Sequence, residues 1–413
     1  MNRLLPLLMC GFRPFFLLTA ASATLFMLVW LLLLNGWWSA WNPAGGIILW
    51  HAHELTFGFI AAATAGFALT AVPEFTRTAG IGGKVLLALL WLWLLARLFY
   101  LLSSFWPPAL GLWPAALCNL VFWLLLLRLI APPLWKDPGR QHLSFVWVIT
   151  CLGLLQLGFF IAQLTAADAL PWIRAAIGVV MILIVIATSR ISMSVVNGRI
   201  EEGRPGGLAP TDSYLARPPR RYLAILCIAI CSASEFALGH HSVTGWVALA
   251  AAAAMFNLLN DWHVGRALFS RWALMLYASY WLIALGYAGM GAAWLGAPFS
   301  PSVGRHLLTS GAATLAIFTV MALVARIHAG LWLDRRPWLP LCATLLVIAS
   351  LLRALAGLPL AANAAMPILS LAGLLWALCF AAYLYYTWTT LTGPREDGLE
   401  DCSGPQARND DGC

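Results

Sequence analysis

The sequence is short of charge. Only 10% of its 413 residues are Asp, Glu, Lys or Arg, whereas 62% are hydrophobic. A soluble domain carries about 25% charged residues, so this composition excludes a water-facing surface over most of the chain. The net charge of +8 does not indicate nucleic-acid binding, because the basic residues lie in short segments between apolar runs and form no basic face.

Motifs of several enzyme classes are also missing. The chain has no P-loop, no Gly-x-Ser-x-Gly nucleophile motif and no His-Glu-x-x-His zinc motif. It has no Cys-x-x-Cys-His, so any haem would be bound without covalent attachment. The nine cysteines are scattered, mostly inside apolar runs. They are interpreted as small buried hydrophobic residues rather than a disulfide framework.

Long apolar runs are what the sequence has in abundance. A transmembrane helix needs about 20 apolar residues, and these runs are continuous rather than alternating, which favours helices over strands. The sequence therefore predicts an all-α, polytopic integral membrane helix bundle with about twelve transmembrane helices. The runs lie near residues 13–34, 46–72, 83–104, 111–131, 143–165, 171–192, 221–238, 243–260, 272–296, 302–325, 337–358 and 364–391.

The chain is interpreted as a single transmembrane domain over residues 1–393. One long break at 193–220, rich in Gly and Pro, divides it into two six-helix halves, about 1–192 and 221–391. Residues 394–413 are polar and are predicted to form a disordered tail. No internal repeat is evident.

The basic residues predict an orientation. If the N-terminus is cytoplasmic, all but four of the 24 Lys and Arg residues lie at inner helix ends or in inner loops. This bias predicts that both termini and the 193–220 loop are cytoplasmic. The four exceptions are Arg97, Arg174, Arg305 and Arg353.

Histidines within the apolar runs are the first candidate site residues, since an ionisable group at membrane depth is costly and marks function. His51 and His53 lie early in the second run, beside Glu54, and His306 begins the tenth run at the same outer level. Residues two apart on a helix point about 200° apart, so His51 and His53 are expected to serve different partners. We expect His51, His53 and His306 together to build an outer-side metal centre. The alternative is that they make only interhelical hydrogen bonds.

Three further residues are candidates. His328 ends the tenth run, about 33 Å from His306, and is assigned to a separate inner-side site together with Arg13. Arg97 lies in the outer half of the third run with no acid near it in sequence. We expect it to hold the carboxylate of an anionic cofactor, with snorkelling to the interface as the alternative. His142, in an inner loop, is expected to be solvated.

Several short motifs are spread over most of the chain. They are Gly11-Phe12-Arg13-Pro14-Phe15-Phe16, Trp50-His51-Ala52-His53-Glu54 with Phe57-Gly58-Phe59, Leu90-Trp91…Ala96-Arg97, His306-Leu-Leu-Thr309-x-Gly311 and His328-Ala329-Gly330. Together they resemble the motifs of the NnrS family. One element of that family, Gly-Arg-x-Ile-Pro-x-Phe after the sixth run, is reduced here to Ser189-Arg190-Ile191-Ser192-Met193.

The resemblance implies a protein of the bacterial inner membrane that contains haem and copper, acts in the nitric oxide response and protects against nitrosative stress. It implies non-covalent haem b and copper as cofactors, and nitric oxide as a ligand, within the lipid bilayer. The resemblance leaves open whether the protein is a catalyst, a sensor or a transporter. It also leaves the oligomeric state open. The alternatives are a secondary transporter with a histidine proton relay and a structural or assembly partner in the membrane. The residues assigned to cofactor binding are His51, His53, His306, His328, Arg97 and Arg13.

Overall fold

The computed structural model describes residues 4–106, 110–198 and 214–399. Within these residues the chain is mostly helical, has no β-strand and contains 12 helices long and apolar enough to cross a membrane. The predicted all-α polytopic membrane bundle is therefore confirmed. We number the helices α1 Phe12–Leu34, α2 Ile47–Thr76, α3 Gly83–Phe105, α4 Trp113–Lys136, α5 Leu143–Leu164, α6 Leu170–Val195, α7 Pro218–Leu238, α8 Ser242–Trp262, α9 Arg271–Trp294, α10 Ser302–Ile327, α11 Trp338–Leu355 and α12 Pro359–Thr392.

Proline and glycine set several of the helix boundaries. Pro114, Pro171 and Pro218 lie in the first turns of α4, α6 and α7, where a missing N–H leaves no hydrogen bond unmade. Gly239 follows α7 with a φ of 60°, a conformation that glycine adopts without steric cost. These residues separate apolar runs that would otherwise merge.

Two helices lie inside the bundle. From α3 to α9 each helix packs against the next one in sequence, and α11, α12 and α1 continue the series. Helix α2 packs against α1, α4 and α6, whereas α10 packs against α9, α11 and α12. Of the apolar stretches of α2 and α10, 89% and 72% are buried, the two highest values among the spans, against 33% for α1. The candidate histidines His51, His53 and His306 are therefore on the central helices.

The two central helices share a departure from regular α-helix. Helix α2 is α-helical over Ile47–His53, π-helical over Glu54–Ile60 and α-helical again over Ala61–Thr76. Helix α10 repeats this order, with α-helix over Ser302–His306, π-helix over Leu307–Ala313 and α-helix over Thr314–Ile327. Such π-helical turns are rare and occur frequently at functional sites. In both helices a candidate histidine is the last residue before the π-helical segment.

The ends of the bundle differ in part from the sequence expectations. Residues 394–399, expected to be disordered, pack against the protein: Arg395 is buried and the Glu396 amide donates to the Ala329 carbonyl at 3.0 Å. Cys10 is disulfide-bonded, so the interpretation of the cysteines as small hydrophobic residues was wrong at this position. The predicted 193–220 loop and the rest of the predicted tail fall partly on residues 199–213 and 400–413, outside the described residues.

Candidate functional site

A cavity of ≈ 690 Å³ lies inside the bundle. Side chains of α1, α2, α6, α7, α10, α11 and α12 line it, with aliphatic and aromatic groups such as Met27, Trp30 and Phe59 over much of its wall. This size and apolar character are typical of cavities that hold small organic ligands or cofactors. Two of the predicted site residues, His51 and His306, line it together.

His51 enters the cavity wall from the first turns of α2. Its ring stacks on Trp30 of α1, with ring centroids 4.0 Å apart. Its Nδ1 atom is buried and has no hydrogen-bond partner among the described residues. A buried polar atom without a partner is costly. The imidazole therefore has an unmet bonding capacity that a ligand in the cavity can satisfy.

His306 faces the cavity from the first turn of α10. Its Nδ1 lies 2.8 Å from the carbonyl oxygen of Ser302, one turn earlier. Because a carbonyl only accepts hydrogen bonds, Nδ1 carries the proton and donates, which leaves Nε2 with its lone pair. Histidines that bind metals commonly donate their second ring nitrogen to a backbone carbonyl in this way. His306 has the tautomer of a metal ligand.

His53 is not part of the cavity, so the expected centre of three histidines was wrong at this residue. Its Nδ1 donates to Glu54 Oε1 at 2.9 Å, and its Nε2 accepts from Gln156 Nε2 at 3.0 Å. Gln156 in turn accepts from Trp123 Nε1 at 2.5 Å. Both ring nitrogens are satisfied by protein. The physical reason is the one anticipated from the sequence, since residues two apart on a helix face away from each other.

Arg97 completes the network around His53. Its Nε lies 2.9 Å from Glu54 Oε2, and its two terminal nitrogens donate to the Phe57 carbonyl at 2.8 Å and to Asn119 Oδ1 at 2.7 Å. We expected Arg97 to hold the carboxylate of a cofactor, but the carboxylate beside it in the structure is that of Glu54. Glu54 is distant in sequence but adjacent in the fold, because α2 and α3 pack together. The guanidinium is ion-paired with Glu54, and its two terminal nitrogens are hydrogen-bonded within the protein.

The cavity has its own charged wall, which the sequence reasoning did not assign. Arg305 donates to Glu235, and Arg174 Nε lies 3.9 Å from the same carboxylate. Arg353 donates to Ser302 Oγ at 3.3 Å. All four charged side chains line the cavity, so three arginines face one acid. The charge bias of the sequence indicated these residues. Of the four basic residues that do not follow the bias, Arg174, Arg305 and Arg353 lie on the cavity wall, and the fourth is Arg97.

The predicted inner-side residues lie at the other end of α10. His328 Nε2 is 3.5 Å from Glu74 Oε2, and its ring is 5.7 Å from that of Phe12. Arg13 is fully buried and donates to the carbonyls of Leu391 and Gly393. The structure thus separates His328 from His306, as expected.

His142 differs from its expected solvated state. It is buried against Phe75, with stacked rings 4.3 Å apart, and contacts Arg190 at 3.3 Å. Burial and the neighbouring Arg190 charge lower the pKa of His142 to about 4. Its imidazole is therefore neutral at physiological pH.

Copper or another metal bound by side chains alone requires several protein ligands. In the described part of the chain, no group of three or more His, Cys, Asp or Glu side chains is arranged to hold a metal ion. A haem, by contrast, brings four equatorial nitrogens and requires only axial ligands from the protein. The cavity offers two such side chains, His51 and His306, so it fits a haem better than a metal ion that is bound by side chains alone.

Fold and cavity define a polytopic membrane protein that carries a histidine-lined internal site on its two central helices. The chain belongs to the NnrS family, since the family model described as NnrS protein matches residues 6–395. No curated protein matches the chain. The family membership supports a role as a membrane protein of the nitric oxide response.

Proposed function

We propose that the protein binds haem b without covalent attachment in the cavity and that this centre binds nitric oxide. His51 and His306 would hold the haem iron through their free ring nitrogens, and nitric oxide would take the place of one of them. The observation that carries the proposal is that both imidazoles, each with a ring nitrogen that the protein does not use, line one largely apolar cavity. Haem iron ligated by histidine supplies a site at which nitric oxide can bind.

The side chains around the cavity have separate tasks in this proposal. The Ser302 carbonyl fixes the tautomer of His306, and the Trp30 ring fixes the plane of His51. Apolar residues such as Met27 and Phe59 exclude water and accommodate a flat hydrophobic ligand.

Copper is the second proposed cofactor. Imidazole suits copper as well as iron, so the cavity histidines could bind it in place of haem or beside it. A separate inner-side site at His328, with Arg13, remains a prediction of the same kind. For Arg13, two guanidinium nitrogens are buried without a hydrogen-bond partner among the described residues.

We place the protein in the bacterial inner membrane because of its family, with both termini in the cytoplasm because of the charge bias. In this orientation the cavity with His51 and His306 lies in the outer half of the bilayer, and His328 lies at the cytoplasmic side.

A reduced-minus-oxidised absorption spectrum of the purified protein tests the proposal. We expect the bands of a six- or five-coordinate b-type haem, and a shift of these bands when nitric oxide is added to the reduced protein. Metal analysis of the same sample measures copper. A folded protein without haem bands would contradict the proposal and favour a transporter or an assembly partner.

A further inference from the structure

The chain contains an internal repeat that its sequence shows only at a few positions. The offset in residue number between His53 and His306 also relates further pairs of identical residues. Each histidine directly precedes a π-helical segment of 7 residues in a central helix. Among the related pairs are His53 and His306, Thr56 and Thr309, Gly58 and Gly311, and Trp123 and Trp376.

The packing of the two glycines extends the repeat to the neighbouring helices. A side chain at Gly58 would meet Phe26 of α1 and Arg97 of α3. A side chain at Gly311 would meet Leu282 of α9 and Ser350 of α11. Helices α1 to α4 therefore correspond to α9 to α12, with α2 and α10 as the central helix of each copy.

The first copy is closed by its own side chains. Beside His53, the carboxylate of Glu54 meets the guanidinium of Arg97, and Asn119 accepts a hydrogen bond from Arg97. All three side chains are buried. This copy has a cation and an anion of its own, and its polar groups satisfy one another.

The second copy is open. The same offset relates Glu54 to Leu307, Arg97 to Ser350 and Asn119 to Ala372. The charged pair is absent and the side chains are shorter or apolar, and Ala372 lines the cavity beside His306. Of the three positions, Ala372 lies on the cavity wall, where Asn119 stands in the first copy, and a ligand can supply the missing polar group there.

One charge remains in the open copy without an opposite charge. Arg353 lies one helical turn after Ser350, is half-buried and lines the cavity. Its only hydrogen bond among the described residues goes to the neutral Ser302 hydroxyl, and no carboxylate of those residues forms an ion pair with it. Arg174 and Arg305 on the same wall share Glu235 instead. A partly desolvated guanidinium facing an apolar cavity favours an anionic partner.

We infer that Arg353 binds a carboxylate of the ligand in the cavity, which takes the part that Glu54 plays for Arg97 in the closed copy. The inference rests on the proposed haem function, because the propionates of haem b are such carboxylates. Arg353 therefore takes the role that the sequence analysis assigned to Arg97, since the guanidinium of Arg97 is engaged within the protein. His306 and Arg353 are linked through Ser302, which hydrogen-bonds to both.

The test compares two porphyrins in the purified apoprotein. Ferric haem b and its dimethyl ester differ only at the two propionates, which are charged in haem b and neutral methyl esters in the diester. We expect the wild-type protein to bind haem b about tenfold more tightly than the diester, the size of one charge-assisted hydrogen bond. Arg353→Gln should bind both with the affinity of the diester, and Arg353→Lys should keep part of the preference because the charge remains.

Arg174→Gln is the matched control, since it removes a positive charge from the same wall at a residue that lies next to Glu235. It should keep the preference for haem b. Equal affinities for the two porphyrins in wild type, or a preference that survives in Arg353→Gln, would show that Arg353 does not bind the carboxylate while the haem proposal stands. Failure of wild type to bind either porphyrin would reject the haem proposal and this inference together.

Discussion

Glu54 and Arg97 form an ion pair in the interior of the bundle, with Oε2 2.9 Å from Nε and both side chains buried. The pair is part of a continuous polar network between α2, α3, α4 and α5. Because the network is satisfied within the protein, it orders these four helices around His53 without a ligand. Its members are Trp123, Gln156, His53, Glu54, Arg97 and Asn119.

Removal of one partner of this ion pair should destabilise the protein strongly. Glu54→Gln leaves Arg97 buried without an opposite charge, which costs about 3–5 kcal/mol in buried pairs. Arg97→Gln should cost a similar amount for the converse reason. The double variant should be less destabilised than the two single effects added together. Thermal unfolding in detergent, followed by circular dichroism, measures the effect.

Glu74→Gln is the control for loss of a carboxylate, because the Glu74 side chain is 49% exposed and a partly exposed pair contributes little. If Glu54→Gln unfolds at the wild-type temperature, the network has no structural role. In that case Arg97 would again be a candidate for binding an anionic ligand.

Substitution of the histidines should separate the cavity from the network. His51→Ala and His306→Ala each remove an imidazole that lines the cavity, so both should lower the haem content of the purified protein while it still folds. His53→Ala should keep the haem content but lower the unfolding temperature, because Glu54 and Gln156 lose their shared partner. His263, an exposed residue, serves as the control, and His263→Ala should change neither quantity. Full haem content in both cavity variants would rule out His51 and His306 as ligands.

The bundle could be predicted from the sequence because the membrane imposes one length on every span. The apolar runs predicted all twelve helices. The direction of the spans also predicted that His51 and His306 lie at the same level of the membrane. The separation of His51 from His53 also followed from helical geometry. These predictions depend on local properties of one segment at a time.

The partners of the charged residues could not be predicted in the same way. Arg97 and Glu54 meet only because α2 and α3 pack together, and nothing local to either residue indicates the other. The π-helical segments shift the residues that follow them, so a regular helix would place Gly58 and Gly311 incorrectly. The repeat was not recognised because only a few identical residues mark it and the groups between them have changed from charged to apolar.

The orientation in the membrane is the last prediction. A reporter fused after Gly139, between α4 and α5, should be cytoplasmic, whereas one fused after Ala297, between α9 and α10, should be on the outer side. The reason is that Lys136 and Arg140 flank the first position, and basic residues are retained on the cytoplasmic side. Two reporters are fused at each position, one that is active only in the cytoplasm and one that is active only on the outer side, so that each position gives a signal from one of them.

One observation opposes this orientation. Cys10 precedes α1 on the predicted cytoplasmic side and is disulfide-bonded, and disulfides persist mainly in oxidising compartments. The charge bias involves nearly all of the 24 Lys and Arg residues, so we expect it to outweigh a single cysteine. An outer-side signal after Gly139 together with a cytoplasmic signal after Ala297 would reverse the topology. His51, His306 and Arg353 would then face the cytoplasmic half of the bilayer, and the cofactor would enter the cavity from that side.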